Sequence, residues 1–299
     1  MDYHVPVLLK ESVEGLNIKP GGTYLDLTFG GGGHSAEILK HLKNGKLIAF
    51  DQDDDAIANT LKDERFLLIN SNFRFFKNYL RYNGIVKVDG ILADLGISSH
   101  HIDMPERGFS FMHDAVLDMR MSQKSSISAR EVINSYPKEK LIRIFSEYGE
   151  VPNAGKLASV IIRQREGTMI ERTIQFRESI AECIQPKAEY KYLAKVFQAL
   201  RIEVNNEKDA LEEMLLQTTD ILNPGGRLVI ITYHSLEDRL VKNFLKFGML
   251  TGQPQKDIYG NADVPFTLIN KKGTEPNEKE IMNNSRARSA RLRIAEKIA

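Results

Sequence analysis

Four consecutive glycines, Gly30, Gly31, Gly32 and Gly33, separate an apolar run at residues 23–29 from a segment, residues 35–42, whose apolar positions Ala36, Ile38, Leu39 and Leu42 recur near a 3.6-residue period. Glycine inside a strand or a helix weakens it, so the run marks a tight turn from a strand into a helix. That junction commits the N-terminal part of the chain to βα units. The rhythm continues with strand-like runs at 46–51, 66–70 and 88–94 and a helical pattern at 73–82, which together predict a parallel sheet.

Between residues 104 and 186 the rhythm stops, and the signals are those of short helices. Ser128 with Glu131 fits a capping box, Pro137 a first helical position, Gly149 and Gly167 helix ends, and Thr173 a further cap. A long helical pattern from Leu193 to Leu222 then leads through Asn223-Pro224-Gly225-Gly226 into a fifth strand at 227–232. Ser235 and Asp238 suggest another capping box. Runs at 266–270 and 290–295 predict a closing hairpin. The expected organisation is a discontinuous α/β domain, 1–103 with 187–299, interrupted by a helical insertion at 104–186.

The glycine turn has chemical meaning because backbone N–H groups at a helix N-terminus bind anionic or polar ligands that a side chain would keep away. A dinucleotide fingerprint needs glycine at position 35, where this chain has Ser35. Asp26-x-Thr28-x-Gly30-x-Gly32 instead resembles motif I of Rossmann-like S-adenosylmethionine-dependent methyltransferases. Asp51, ending the second strand, is placed to accept hydrogen bonds from a ribose diol, which both cofactors carry. Phe73 follows the third strand, where an adenine ring can stack. Asp94 ends the fourth strand at the crevice where open α/β sheets bind ligands. One cysteine in 299 residues, Cys183, excludes an intrachain disulfide and cysteine-rich metal sites. A net charge of +1 means that a nucleic-acid partner must meet a local basic surface. No apolar run approaches the roughly 18 residues of a spanning helix, and nothing at the N-terminus reads as a leader, so a cytoplasmic protein without membrane contact is expected.

The resemblance becomes specific when motifs along the whole chain are taken together. They include His4-Val5-Pro6-Val7-Leu8-Leu9-Lys10-Glu11, Thr28-Phe29-Gly30-Gly31-Gly32-Gly33-His34-Ser35, Asp94-Leu95-Gly96-Ile97-Ser98-Ser99, Arg107-Gly108-Phe109-Ser110-Phe111, Leu117-Asp118-Met119-Arg120-Met121, Phe197-Gln198-Ala199-Leu200-Arg201-Ile202, Tyr233-His234-Ser235-Leu236-Glu237-Asp238-Arg239 and Arg286-Ala287-Arg288-Ser289. In these the chain resembles the MraW family, methyltransferases that modify the exocyclic N4 amine of a cytidine in the decoding region of 16S rRNA. The resemblance implies a class I Rossmann-like fold and S-adenosylmethionine as cofactor, with no metal. It places cofactor contacts on Gly32, Gly33, His34, Asp51, Phe73, Asp94 and His101. The family pattern usually has glutamine at His101, proline at Val116 and phenylalanine at Tyr233.

Methyl transfer from a sulfonium needs donor and acceptor held in line, together with an acceptor for the amine protons. Asp94 and His234 are the candidates for catalysis. RNA binding is expected of Arg107, Phe109, Phe111 and Arg120 in the insertion, with Arg163, Arg165, Arg172 and Arg177 as further basic positions. It is also expected of Arg286 and Arg288 in a tail whose five basic residues face the single acid Glu296. The implied partner is 16S rRNA within the assembled small subunit, and a homodimer is compatible with the family. Two other readings stay open on the residues alone. One is an NAD-dependent oxidoreductase; the other is a noncatalytic RNA-binding assembly factor.

Overall fold

A computed structural model describes residues 6–98, 103–252, 254 and 263–298. Two compact units emerge, one of Met1–Gly96 with Asp209–Ala299 and one of Ile97–Lys208.

The first unit is built on a seven-stranded sheet of order β3-β2-β1-β4-β5-β7-β6. Its strands are β1 (Thr23–Asp26), β2 (Lys46–Asp51), β3 (Phe66–Asn70), β4 (Val88–Asp94), β5 (Leu222–Thr232), β6 (Phe266–Leu268) and β7 (Arg291–Lys297). The first five are parallel, and β7 runs antiparallel between β5 and β6. This is the expected Rossmann-like arrangement, closed by the expected hairpin. β1 is shorter than the apolar run suggests. It ends at Asp26, whose Oδ1 accepts the Thr28 N–H at 3.1 Å and starts the turn early. β5 is longer, because Asn223-Pro224-Gly225-Gly226 forms an irregularity within it. Val88 pairs with Leu222 and Gly90 with Arg227.

Successive strand residues point to opposite faces, and both faces are buried, as a parallel sheet requires. On one face Leu25, Ile48, Phe50, Ile91 and Ile230 pack with Phe76 and Leu80 of α3 (Phe76–Tyr82), Met214 and Leu215 of α9 (Glu207–Ile221), and Val241 and Phe244 of α10 (Ser235–Phe247). On the other, Tyr24, Leu47, Leu92, Val229 and Ile231 meet Val13 of α1 (Leu9–Gly15) and Ile38 and Leu39 of α2 (Gly33–His41). Chain order reverses between β1 and β4, which opens a crevice at the carboxyl ends of those two strands.

The second unit is helical: α4 (Ala129–Ser135), α5 (Lys138–Glu147), α6 (Ala154–Gly167), α7 (Thr173–Ser179) and α8 (Glu189–Asn205). The Ser128–Glu131 capping box is present, whereas Arg172, not Thr173, stands at the N-cap of α7. The insertion extends beyond the 104–186 expected from sequence. α8 belongs to it because Tyr136 of the α4–α5 link donates to Glu203 at 3.0 Å and Asn205 holds the Met119 carbonyl at 2.8 Å and the Met121 N–H at 2.7 Å. A final short helix, α11 (Glu278–Asn283), lies in the β6–β7 connection. No helix among the described residues is long and apolar enough to cross a membrane.

Arg293 of β7 is 5% exposed and gives both Nε and Nη2 to Asp238 of α10, at 2.6 and 2.9 Å. Asp238→Ala leaves this guanidinium buried without its counter-charge. A loss of about 3 kcal/mol is expected, measured as a lower urea midpoint at unchanged slope.

Candidate functional site

The crevice is lined by the turn after β1 and the ends of β2 and β4. Asp26, 1% exposed, accepts the Ser35 hydroxyl of α2 on Oδ2 at 2.6 Å and the Thr28 N–H on Oδ1. Thr28 in turn accepts the Asp94 N–H on its Oγ1 at 2.6 Å, which fastens the end of β4 to the glycine turn.

Glycine is demanded here for two different reasons. At Gly30 (φ 51°) a Cβ would meet nothing within 4 Å, so the space beside the turn is open. At Gly32 (φ 77°) it would lie 2.9 Å from the Phe29 ring, and at Gly33 2.2 Å from Cγ of Pro6. Room for close approach to the backbone therefore lies at Gly30, which motif I included but the family contacts did not. Gly32 and Gly33 are fixed by the protein's own rings, although they still form the N-terminus of α2.

Asp51 stands at the end of β2, half-buried. Its Oδ2 accepts the Gly30 N–H at 2.8 Å and its Oδ1 the Asp53 N–H at 2.9 Å. The turn and the acid are thus a single unit. Phe73 opens a 3₁₀ turn capped by Asn72, whose Nδ2 donates to Gln52 at 2.7 Å beside Asp51. The Phe73 ring is half-buried against the sheet core.

Asp94 is the most perturbed acid of the crevice. Burial, reinforced by the charges of Asp26 and Glu237, pushes its pKa up to about 7 against the opposing hydrogen bond from Tyr233. Burial likewise raises Asp26 to about 6. His34, 5% exposed, has its Nδ1 3.9 Å from Asp94 Oδ2. Burial lowers its pKa to about 4, so it is neutral at pH 7. Its Nε2 is buried without a hydrogen-bond partner among the described residues. An open glycine turn, a ribose-competent acid, two more carboxylates and a neutral histidine suit an adenosyl ligand that carries a positive sulfonium.

Other expectations fare differently. His101 lies outside the described residues. His234 is the N-cap of α10, the place expected for Ser235. Its Nδ1 accepts the Glu237 N–H at 3.4 Å, and its Nε2 lies 3.0 Å from Glu237 Oε1. Arg107, 8% exposed, donates to the carbonyls of Arg120 and Met121, both at 3.0 Å. Arg120 is bidentate on Asp118, at 2.7 and 2.8 Å. Phe109 is buried, and Phe111 packs edge-on against Tyr190 and Phe197, 5.2 and 5.4 Å between centroids. All four side chains thus have contacts within the second unit, Arg107 and Phe109 buried and Arg120 and Phe111 half-buried. Arg163, Arg172 and Arg177 pair with Glu182, Asp114 and Glu189, and Arg165 donates to the Ile133 and Tyr136 carbonyls. The C-terminal basic patch shrinks for the same reason: Arg291 pairs with Glu275 and Arg293 with Asp238. In the 3₁₀ turn Ser285–Ser289, Arg286 is half-buried and Arg288 exposed. Sequence reasoning missed one contact, the 2.8 Å hydrogen bond from the Tyr233 hydroxyl to Asp94.

The profile of the MraW methylase family matches residues 1–298 of this chain. A ribosomal RNA small subunit methyltransferase H of Flavobacterium johnsoniae is 57% identical over 299 residues, covering 100% of this chain and 99% of its own. A protein of the same name from Bacteroides fragilis (strain YCH46) is 57% identical over 296 residues, with 99% and 97% covered. One from Cytophaga hutchinsonii is 56% identical over 297 residues, with 99% of each chain covered.

The raised pKa of Asp94 has a consequence for stability. An acid that binds its proton more tightly when folded than when unfolded costs stability as pH rises from about 4 through about 7. Asp94→Asn removes that cost and not the opposite contribution of His34. The variant is expected to gain on the wild type by on the order of 2 kcal/mol between pH 4.5 and pH 8. Urea unfolding of both proteins at the two pH values measures the gain.

Proposed function

The chain belongs to the MraW methylase family, and from that premise we propose that it transfers a methyl group from S-adenosylmethionine to the exocyclic N4 amine of a cytidine in the decoding region of 16S rRNA, presented in the assembled small subunit. The observation that carries this reading is the Asp94 carboxylate, held at the end of β4 beside the glycine turn with a pKa of about 7.

S-adenosylmethionine is the cofactor of this family, and when bound it supplies a methyl group already activated on a sulfonium. The protein's own part is to hold, orient and accept protons. Gly30 and the N-terminus of α2 leave room for the adenosyl group, Asp51 accepts the ribose hydroxyls, and Phe73 offers a ring face to the adenine. Asp26 and Asp94 favour the positive charge, and a neutral His34 does not oppose it. The amine of cytosine is delocalised into its ring and is a weak nucleophile. A carboxylate oxygen accepting one of its N–H bonds localises the lone pair and takes the proton released once the new N–C bond has formed and the C–S bond has broken. A group with a pKa near 7 fits a proton acceptor working near neutral pH. The target base must be turned out of its stack to reach this crevice.

With the arginines of the second unit paired internally, we assign phosphate contact first to Arg288. The Arg288→Ala variant is expected to bind the small subunit more weakly and to lower the slope of log K against log salt by about one. For the reaction itself, small subunits lacking the modification are incubated with labelled S-adenosylmethionine and digested to nucleosides for mass analysis. N4-methylcytidine is expected. Label on any other nucleoside overturns the assignment of the atom, and no label at all overturns the substrate.

A further inference from the structure

Tyr233 follows β5, the strand that pairs with β4, so its side chain reaches Asp94 from the neighbouring strand and its Oη donates to Asp94 Oδ1 at 2.8 Å. The ring lies over Gly96, where a Cβ would come 3.4 Å from Tyr233 Cδ2 and where φ of 95° turns the chain after Asp94. The backbone end is fixed as well: the Tyr233 N–H donates to Glu237 Oε2 at 2.9 Å, in the first turn of α10. The phenol is therefore held at both ends. Burial and the negative charges of Asp94, Glu237 and Glu280 raise its pKa well above the ordinary value, so it remains a donor.

We propose that Tyr233 is a positioning residue for methyl transfer: its hydroxyl occupies Oδ1 of Asp94 and leaves Oδ2 as the oxygen presented to the acceptor amine. The proposal rests on the reading of Asp94 given above. A phenylalanine fills the same space over Gly96 but leaves the carboxyl plane without this anchor, and χ2 of an aspartate is a broad torsion that needs one.

The charged and titratable groups around Asp94 give the hydroxyl a second effect. Asp26 on β1 and Glu237 on α10 disfavour its ionisation, and His34 on α2 is neutral at pH 7. Against these, the Tyr233 hydrogen bond favours the charged carboxylate. Without it Asp94 holds its proton to higher pH.

The test is single-turnover methyl transfer to unmodified small subunits between pH 6 and 9.5, for the wild type, Tyr233→Phe and Asp94→Asn, with S-adenosylhomocysteine affinity measured in parallel by calorimetry. For Tyr233→Phe the acid limb of the rate profile is expected to move up by about one pH unit. At pH 7 that is a loss of about five-fold, recovering to within about two-fold of the wild type at pH 9, while cofactor affinity stays within about two-fold. An unmoved profile, or an equal loss at every pH, assigns Tyr233 to packing and overturns the proposal. Asp94→Asn separates the two levels. If it transfers methyl as the wild type does, the reading of Asp94 fails whatever Tyr233 does; if it is inactive while Tyr233→Phe keeps its profile, only the role of Tyr233 fails.

Discussion

The site depends on a line of hydrogen bonds that begins at a carboxylate with almost no access to water. Asp26 holds Ser35 of α2 and the amide of Thr28, Thr28 holds the amide of Asp94, and Asp94 holds the hydroxyl of Tyr233, whose own amide is held by Glu237. The line crosses α2, β1, β4, the end of β5 and α10. Each link satisfies a backbone or side-chain group that would otherwise be stranded where two strands diverge. The walls of the crevice are thereby tied to each other.

This arrangement carries an electrostatic cost. Burial raises Asp26 to about 6 and Asp94 to about 7, with the charge of Asp51 adding to the first and those of Asp26 and Glu237 to the second. Among the described residues no arginine or lysine contributes to either shift. A crevice meant only for stability would pair these acids or protonate them. One meant to receive a cation gains when the cation arrives, since the incoming charge relieves the repulsion. The low pKa of His34 belongs to the same logic, since a protonated imidazole 3.9 Å from Asp94 would satisfy the acid and compete with a sulfonium.

Much of this is legible in the sequence where the governing rule is local. β2 and β4 follow their apolar segments, because strands buried on both faces must be continuously apolar, and β3 follows its own although it is the half-buried edge of the sheet. Asp51 and Asp94 stand out because a carboxylate at a strand's carboxyl end in an open α/β sheet faces the crevice. What escaped depends on partners far away in the chain. Nothing near Arg107 says that the carbonyls of Arg120 and Met121 will enclose its guanidinium, and nothing near Arg293 points to Asp238. His234 looks chemical beside Tyr233, but a helix start needs an acceptor and the imidazole supplies it. The end of the insertion was misplaced because α8 has the amphipathic pattern of a sheet-covering helix, and only its contacts with Tyr136, Met119 and Met121 show where it packs. The Tyr233–Asp94 contact needs β4 and β5 to be neighbours, a fact of topology that no local pattern contains.

The pairing of β4 with β5 also sets the order in which the molecule can be made. The two strands register Asp94 against Ile231, yet the whole of Ile97–Lys208 is synthesised between them. At the roughly 5–20 residues per second of translation, β4 emerges many seconds before its partner. During that interval Ile91, Leu92 and Ala93 lie on a strand edge with unpaired N–H and C=O groups, the geometry that recruits foreign strands. The helical unit lies wholly between the two strands in the chain and can fold in that time, whereas the sheet must wait for the chain to return. The crevice, which needs β1, β4 and the residue after β5 together, is therefore among the last features of the protein to exist.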